Sequence, residues 1–216
     1  MPDIRFMEQS YQILGWYGQY PHGQEEEPYG FIAEVARTCY DSTGTGEESD
    51  RRLVRSLIKN DHGAMLEHSF LSVRFHTDRA IANELVRHRH FSFAQMSTRY
   101  VNSSKQGFEF ILPTISGGGL MDGHRLDCIK RACRFAAEQY EELVSCGTKP
   151  EIARSVLPLC TKTTIVCSGN FRSWREMFKL RVDRHAHPQM RELMTELLED
   201  LKHHYIPVIF DDIEPE

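Results

Sequence analysis

A strand pattern that runs directly into a helix pattern is the feature of this sequence that most restricts its fold. Within residues 69–77 apolar and polar side chains alternate from Leu71 onward, which is typical of a strand with one buried face. Asp78 follows, and a carboxylate here can cap the free N–H groups of a helix that begins after it. Apolar residues then recur at helical spacing, at Ile81, Ala82, Leu85 and Val86. The sequence therefore predicts a strand, a cap and a helix in succession.

The predicted helix leads into a polar segment, residues 87–99, which is rich in cationic and hydroxyl side chains. The segment holds three arginines, two histidines, two serines, a threonine and a glutamine. We expect the helix to end near Arg89, with Glu84, Arg87 and His88 sharing its polar face, and the chain to continue as an irregular loop. Arginine forms bidentate hydrogen bonds with phosphate, so this segment suits an anion. A solvated basic helix end, which binds nothing, is the alternative on composition alone.

Length and composition favour one globular domain that spans residues 1–216. Apolar residues make up 40% of the chain and charged residues 26%, as in folded proteins with a substantial core. The net charge of −5 argues against a nucleic-acid-binding protein and makes a small anion the better ligand. No apolar stretch approaches the length of about 20 residues that a membrane-spanning helix needs, and the N-terminus lacks the apolar core of a signal peptide.

The cysteines and histidines favour neither disulfides nor a metal site. The six cysteines include no CxxC pair and no metal-ligand spacing, so we expect free thiols in a reducing cytoplasm. His62 and His68 lie six residues apart with Glu67 between them, whereas a zinc-binding helix pair needs histidines four residues apart. A functional role for His62 and Glu67 and a purely structural role both stay open.

The rest of the chain is predicted to contain strands and helices in mixed order. Pro150 is expected at the first turn of a short helix, and the acidic tail from Asp211 is expected to fray. The predicted strands lie within residues 4–18, 108–113 and 161–168, and the predicted helices are 29–40, 48–60, 121–146, 150–158, 170–182 and 188–205.

Three segments together resemble the flavin-dependent thymidylate synthases. The first is Arg87-His88-Arg89 followed by seven residues and Ser97, with the continuation Gln95-Met96-Ser97-Thr98-Arg99-Tyr100. The second is the string Ala-Arg-x-Val-Leu-Pro at residues 153–158, and the third is Asn-x-Arg-Ser…Leu-Arg at residues 170–181. The similarity runs in patches from about residue 29 to residue 192.

The resemblance implies a fold, an activity and an assembly. The fold would be α+β, with an antiparallel sheet packed with helices, in a homotetramer whose active sites are shared between subunits. The enzyme would be a methyltransferase that makes thymidylate (dTMP) from deoxyuridine monophosphate (dUMP), a small-molecule nucleotide. The carbon donor would be 5,10-methylenetetrahydrofolate, and FAD reduced by NADPH would carry the hydride. Neither a nucleic acid nor a membrane is implied as a partner.

The resemblance also implies roles for particular residues. Arg181 would be catalytic, since it would polarise the uracil and favour ionisation at its N3, and a fixed cation beside a forming anion stabilises that anion. The residues implied for the nucleotide are Glu84, Leu85, Val86, Arg87, Gln95, Met96, Ser97, Thr98, Arg99, Arg154 and Arg181. Those implied for the flavin are Ala64 through its backbone, Arg87, His88, Arg89, Gln95, Asn170, Phe171, Arg172 and Glu176.

Helix geometry adds one constraint on the implied site. At about 100° per residue, Arg172 and Arg181 face opposite sides of the predicted helix over residues 170–182. One helix therefore cannot direct both arginines into one site at the same level of one subunit, and sites shared between subunits would resolve this.

Several positions depart from the family pattern, and two other functions stay open. The departures, at Glu84, Ala94, Thr98, Glu176 and His187, concern cofactor affinity more than the class of enzyme. A flavin- and folate-dependent enzyme that hydroxymethylates a pyrimidine nucleotide would keep the same site. An RNA-binding module that uses Arg87, Arg89 and Arg99 is disfavoured by the acidic net charge.

Overall fold

The computed structural model describes residues 2–17, 28–98, 107–114 and 123–215. The strands in these residues are β1 (Ile4–Met7), β2 (Ser10–Tyr17), β3 (Phe70–Asp78), β4 (Ser92–Gln95), β5 (Phe108–Ile111) and β6 (Lys162–Asn170). The helices are α1 (Pro28–Thr38), α2 (Glu47–Lys59), α3 (Arg79–Leu85), α4 (Gly123–Ser145), α5 (Pro150–Ala153), α6 (Phe171–Arg181) and α7 (Pro188–Asp200). Shorter helical segments are two 3-10 turns, Gly63–His68 and Arg154–Val156, and the π turn Leu201–Tyr205.

The strands form an antiparallel four-stranded sheet and a separate parallel pair. The four-stranded sheet has the order β2-β3-β6-β4, and β1 pairs with β5 so that Ile4 lies opposite Phe108. Side chains along β3 and β6 alternate between fully buried and half-buried positions. For β3 this is the burial that the sequence alternation from Leu71 onward predicted. The predicted α+β class with an antiparallel sheet is confirmed.

The described residues group into two compact units. Unit one contains the described residues within 2–11, 74–87 and 93–166, and unit two contains those within 12–73, 88–92 and 167–215. The prediction of one domain over residues 1–216 stays a prediction. No helix in the described ranges is long and apolar enough to cross a membrane.

In unit one the core forms around one face of α4. Cys133, Ala137 and Tyr140 recur at helical spacing on that face and pack with Phe108 and Phe110 of β5. The rings of Phe108 and Tyr140 meet edge to face, with their centroids 5.4 Å apart. An aromatic pair with this geometry contributes beyond its buried area, which explains why the short strand β5 is firmly packed.

In unit two the core is aromatic and centres on α6. Trp174 and Phe178 are fully buried, and the indole N–H of Trp174 donates to the carbonyl oxygen of Leu71 at 3.0 Å. Phe210, near the C-terminus, packs edge to face against both Phe171 and Phe178. The helix is thereby fixed from both sides, and its polar residues are held in defined positions.

The acidic C-terminal tail is packed, so the prediction that it frays from Asp211 is wrong. Arg175 is 5% exposed and forms a bidentate ion pair with Asp212, with distances of 2.6 and 2.7 Å. Ile213 is 4% exposed. A buried guanidinium needs a charged partner, and the tail supplies it.

The segment after Asp78 begins as predicted but ends differently. Asp78 Oδ1 accepts a hydrogen bond from the Ile81 amide at 2.8 Å, which confirms the cap. The helix then ends at Leu85 rather than near Arg89, because the Arg87 amide bonds the Glu84 carbonyl three residues back. Glu84, Arg87 and His88 therefore do not share a helix face.

The expected loop over residues 92–95 is instead the strand β4. Its four residues alternate between exposed and half-buried positions, and β4 lies beside β6 in the sheet. The amide of Met96, just after β4, donates to the Thr164 carbonyl at 2.8 Å. Pairing with a strand some 70 residues later decided this structure, and local composition could not reveal it.

Candidate functional site

The first turn of α6 presents the Asn-x-Arg-Ser segment. Asn170 Oδ1 accepts a hydrogen bond from the Ser173 amide at 2.8 Å, so the asparagine is the cap that starts the helix. Phe171 is fully buried, which leaves only its backbone for a ligand. Arg172 is the next residue and is half-exposed. The local sequence thus folds so that a cation stands at the N-terminal end of α6.

Arg172 forms an ion pair with Glu67 of the 3-10 turn. Its Nη1 lies 2.7 Å from Glu67 Oε1, and about half of each side chain is exposed. At Gly63 an added Cβ would lie 3.0 Å from the Arg172 side chain, so the turn comes close to the arginine. Ala64 is the next residue of this turn. Glu67 therefore pairs with a cation, and the described residues contain no metal-binding group of three or more ligands.

At the opposite end of α6, Arg181 is hydrogen-bonded to His88. Arg181 Nε donates to His88 Nε2 over 3.0 Å. Burial, together with the positive charge of Arg181, lowers the pKa of His88 to about 4. His88 is therefore neutral at pH 7, with its proton on Nδ1, because Nε2 must accept. The neutral imidazole thus orients the guanidinium of Arg181 through its Nε.

Aromatic rings that pack edge to face hold His88 in place. The His88 ring meets the edge of Phe91, whose centroid is 6.2 Å away, and Phe91 packs edge to face on Trp174 at 4.9 Å. At Gly169 an added Cβ would lie 2.7 Å from Phe91 ring carbons. The glycine therefore leaves the space that the Phe91 ring fills.

Arg154 and Thr98 come together in unit one. Arg154 Nη1 donates to Thr98 Oγ1 at 3.0 Å, and its Nε donates to the Glu151 carbonyl at 3.1 Å. Near them, Gln95 Nε2 donates to Thr163 Oγ1 at 3.3 Å. The guanidinium of Arg154 is thus held by neutral oxygens, and its charge is available to an anion.

A second guanidinium, Arg79, belongs to the same part of unit one. Burial and the charge of Arg154 lower the pKa of Arg79, so the two cations lie within electrostatic range. Arg79 Nη1 is buried and has no hydrogen-bond partner among the described residues. Sequence reasoning missed Arg79, although a cation on the first turn of the helix that leads into the central motif was a usable signal.

The two predicted sets of residues fall mostly in different units. The nucleotide set lies mostly in unit one and the flavin set mostly in unit two. Unit one holds most of the nucleotide set: Glu84, Leu85, Val86, Arg87, Gln95, Met96, Ser97, Thr98 and Arg154. Unit two holds most of the flavin set, Ala64, His88, Arg89, Asn170, Phe171, Arg172 and Glu176, together with Arg181. Leu85 is fully buried, so its side chain cannot meet a ligand, and Arg99 lies outside the described residues.

Known proteins are similar to this chain over a range that includes these segments. A family model described as "Thymidylate synthase complementing protein" matches residues 23–207. A flavin-dependent thymidylate synthase of Corynebacterium glutamicum is 32% identical over 201 residues, which covers 84% of this chain and 78% of that protein. The enzyme of the same name from Mycobacterium marinum is 34% identical over 202 residues, which covers 83% of this chain and 77% of that protein.

Proposed function

We infer the function from one premise, which is that this chain belongs to the flavin-dependent thymidylate synthases. Members of this family are enzymes, and the names of the relatives specify a flavin and a thymidylate product. We propose that this chain methylates dUMP to dTMP, with 5,10-methylenetetrahydrofolate as the carbon donor. FAD reduced by NADPH is proposed as the hydride carrier, and the cytoplasm as the location.

The observation that carries the proposal is the pair of Arg181 and neutral His88. Uracil becomes a carbon nucleophile more readily when negative charge on its ring is stabilised. A guanidinium held at 3.0 Å by a neutral imidazole can supply that stabilisation without reorganising during the reaction. Because the imidazole is partly buried, the charge acts where water screens it less. Arg181 is therefore the proposed catalytic cation, and His88 keeps it oriented.

The cations of unit one suit the phosphate of the nucleotide. Arg154 is half-buried, and Arg79 has a buried N–H without a partner among the described residues. Two neighbouring guanidinium groups repel each other, and a phosphate would relieve that repulsion and accept from both. Ser97 and Thr98 supply hydroxyl groups in the adjacent segment. We propose that dUMP binds here through its phosphate.

The residues of unit two suit a dinucleotide flavin. Arg172 and Arg89 offer cations for a diphosphate. The 3-10 turn comes close to Arg172 at Gly63, the residue before Ala64. The exposed Arg172–Glu67 pair contributes little stability, so Arg172 can exchange Glu67 for an anionic ligand at small cost. A bound flavin would supply the hydride that completes the methyl group. Residues of this chain would bind and orient that flavin.

We propose a homotetramer with shared sites, on the basis of α6. Arg181 lies nine positions after Arg172, which corresponds to about 13 Å along the helix and to opposite faces. A mixture of Arg172→Ala and Arg181→Ala subunits should recover activity if one site takes these residues from different chains. A monomer by light scattering with full activity would refute the assembly.

The product decides between the proposed reaction and its nearest alternative. Purified protein is incubated with FAD, NADPH, 5,10-methylenetetrahydrofolate and dUMP, and the nucleotide product is analysed by mass spectrometry. The proposal predicts dTMP, whereas a hydroxymethylase would give a product heavier by one oxygen atom. A protein that neither binds FAD saturably nor changes dUMP would overturn the proposal. Saturable RNA binding would then favour the RNA-binding module that uses Arg87, Arg89 and Arg99.

A further inference from the structure

Cys133 and Cys160 form a close thiol pair in unit one. Cys133 lies in the middle of α4 and is 1% exposed, while Cys160 lies two residues before β6 and is partly exposed. Their sulfur atoms are 3.5 Å apart. The sequence separates them by 27 residues, so spacing gave no sign of the pair.

The backbone around Cys160 is held by hydrogen bonds. The carbonyl of Cys160 accepts from the Ile111 amide at 2.9 Å, and the Thr161 amide donates to the Pro158 carbonyl at 3.0 Å. Cys133 is fixed in the core face of α4 among Phe108 and Tyr140. A disulfide needs about 2.05 Å between its sulfurs, so the sulfur atoms must approach by about 1.5 Å. Rotation about the Cα–Cβ bonds of the two cysteines would have to supply this approach.

The two thiols differ in reactivity. The hydrogen bond with Cys133 lowers the pKa of Cys160. The same hydrogen bond, together with burial, raises the pKa of Cys133. A thiolate is the nucleophile in thiol oxidation, so Cys160, the more accessible of the two, is the sulfur that reacts first.

We propose that Cys133 and Cys160 are a site of reversible oxidation, at which a hydroperoxide converts the pair to a disulfide. The Cys160 thiolate attacks the O–O bond, so an S–O bond forms, the O–O bond breaks, and alkoxide leaves and takes a proton. The Cys133 thiol then attacks the sulfenic sulfur, so the S–S bond forms, the S–O bond breaks, and water leaves with the Cys133 proton. The two thiols lose two electrons and the peroxide gains them. This chemistry needs neither substrate nor flavin.

The disulfide would join α4 to the segment that follows Arg154. The closed loop contains the turn after α4, the helix α5 and Arg154 itself. Since a cross-link restricts the unfolded chain, we expect oxidation to raise the Tm by about 5–10 °C. The position of Arg154 relative to α4 would be fixed in the oxidised protein.

The test uses a full-length variant in which the exposed cysteines Cys39, Cys128 and Cys146 are replaced by alanine. This variant retains Cys133, Cys160 and Cys167, and it is treated with hydrogen peroxide and then digested with trypsin. The expected result is a loss of titratable thiols from three to one. Tryptic peptides 132–134 and 155–162 should appear as one cross-linked species that a thiol reductant separates.

The matched control carries Cys160→Ala in the same background and should retain no cross-linked peptide. Peptide mapping of peroxide-treated wild-type protein tests for the same cross-link if a variant does not fold. Three titratable thiols after peroxide treatment, with no cross-linked peptide, would overturn the proposal. A cross-link that forms only in denaturant, or one that lowers the Tm, would also overturn it, because the native pair would then not be poised for the bond.

Discussion

Protonation of His88 should destabilise the protein as the pH falls below about 6.5, and glutamine at this position should remove that loss. Burial and Arg181 lower the pKa of His88 from 6.5 to about 4 in the folded protein. The unfolded chain therefore binds the proton more tightly, so the stability is complete above pH 6.5 and is lost as the pH falls toward 4. Each pH unit in this window costs about 1.4 kcal/mol, which gives a loss of about 2 kcal/mol at pH 5.

The assay is urea denaturation of wild type and His88→Gln at pH 8 and pH 5. Glutamine offers a carbonyl oxygen that can accept from Arg181, and it does not titrate. His76 also has a lowered pKa through burial and the charge of Lys162, but it contributes equally to both proteins. His90→Gln, at an exposed histidine nearby, is the matched control and should lose as much stability as wild type. Equal losses in wild type and His88→Gln would refute the reasoning.

Three further substitutions test the structure at single positions. Arg181→Lys keeps the charge but loses the planar fork, so it should bind FAD normally and lose turnover on the order of 10²-fold; flavin reoxidation at the wild-type rate in a single turnover would exclude a catalytic role. Arg175→Ala should cost about 2–3 kcal/mol in urea because it removes a buried guanidinium and its hydrogen bonds to the Ile209 carbonyl and to Asp212. Arg55→Ala, which breaks an exposed pair, should cost at most about 1 kcal/mol. Gly169→Ala should cost about 1–3 kcal/mol, since its Cβ would meet the Phe91 ring at 2.7 Å; an unchanged urea midpoint would contradict that close contact.

The sequence alone predicted those helices and caps that depend on residues close together in the chain. The helices expected over residues 29–40 and 48–60 correspond to α1 and α2 within two residues, because each carries an apolar stripe at helical spacing. Asp78 was also predictable as a cap, because its partner amide is only three residues away in the sequence.

Contacts between distant residues determined what the sequence could not predict. The strand β4 exists because it pairs with β6, and β1 pairs with β5 more than 100 residues later in the chain. The C-terminal tail is ordered by an ion pair between residues 37 positions apart. Hydrophobic periodicity carries no information about such partners.

In the candidate site, too, local sequence was informative and contacts between distant residues were not predictable. The motifs indicated His88, Arg172 and Arg181 as residue types, but not their partners. Glu67 is 105 residues from Arg172, and His88 is 93 residues from Arg181. The ring that holds His88 and the glycine that makes room for it were not identified either, although a glycine inside a predicted strand indicates a close approach.

The measurement that tests the proposed reaction most directly is a single turnover of the reduced flavin in the absence of oxygen. Protein loaded with reduced FAD is mixed with dUMP, with 5,10-methylenetetrahydrofolate, or with both, and flavin absorbance and dTMP are followed together. The proposal predicts that the flavin is reoxidised only with both compounds present, with one dTMP formed for each flavin. A flavin that stays reduced in the presence of both compounds would contradict it.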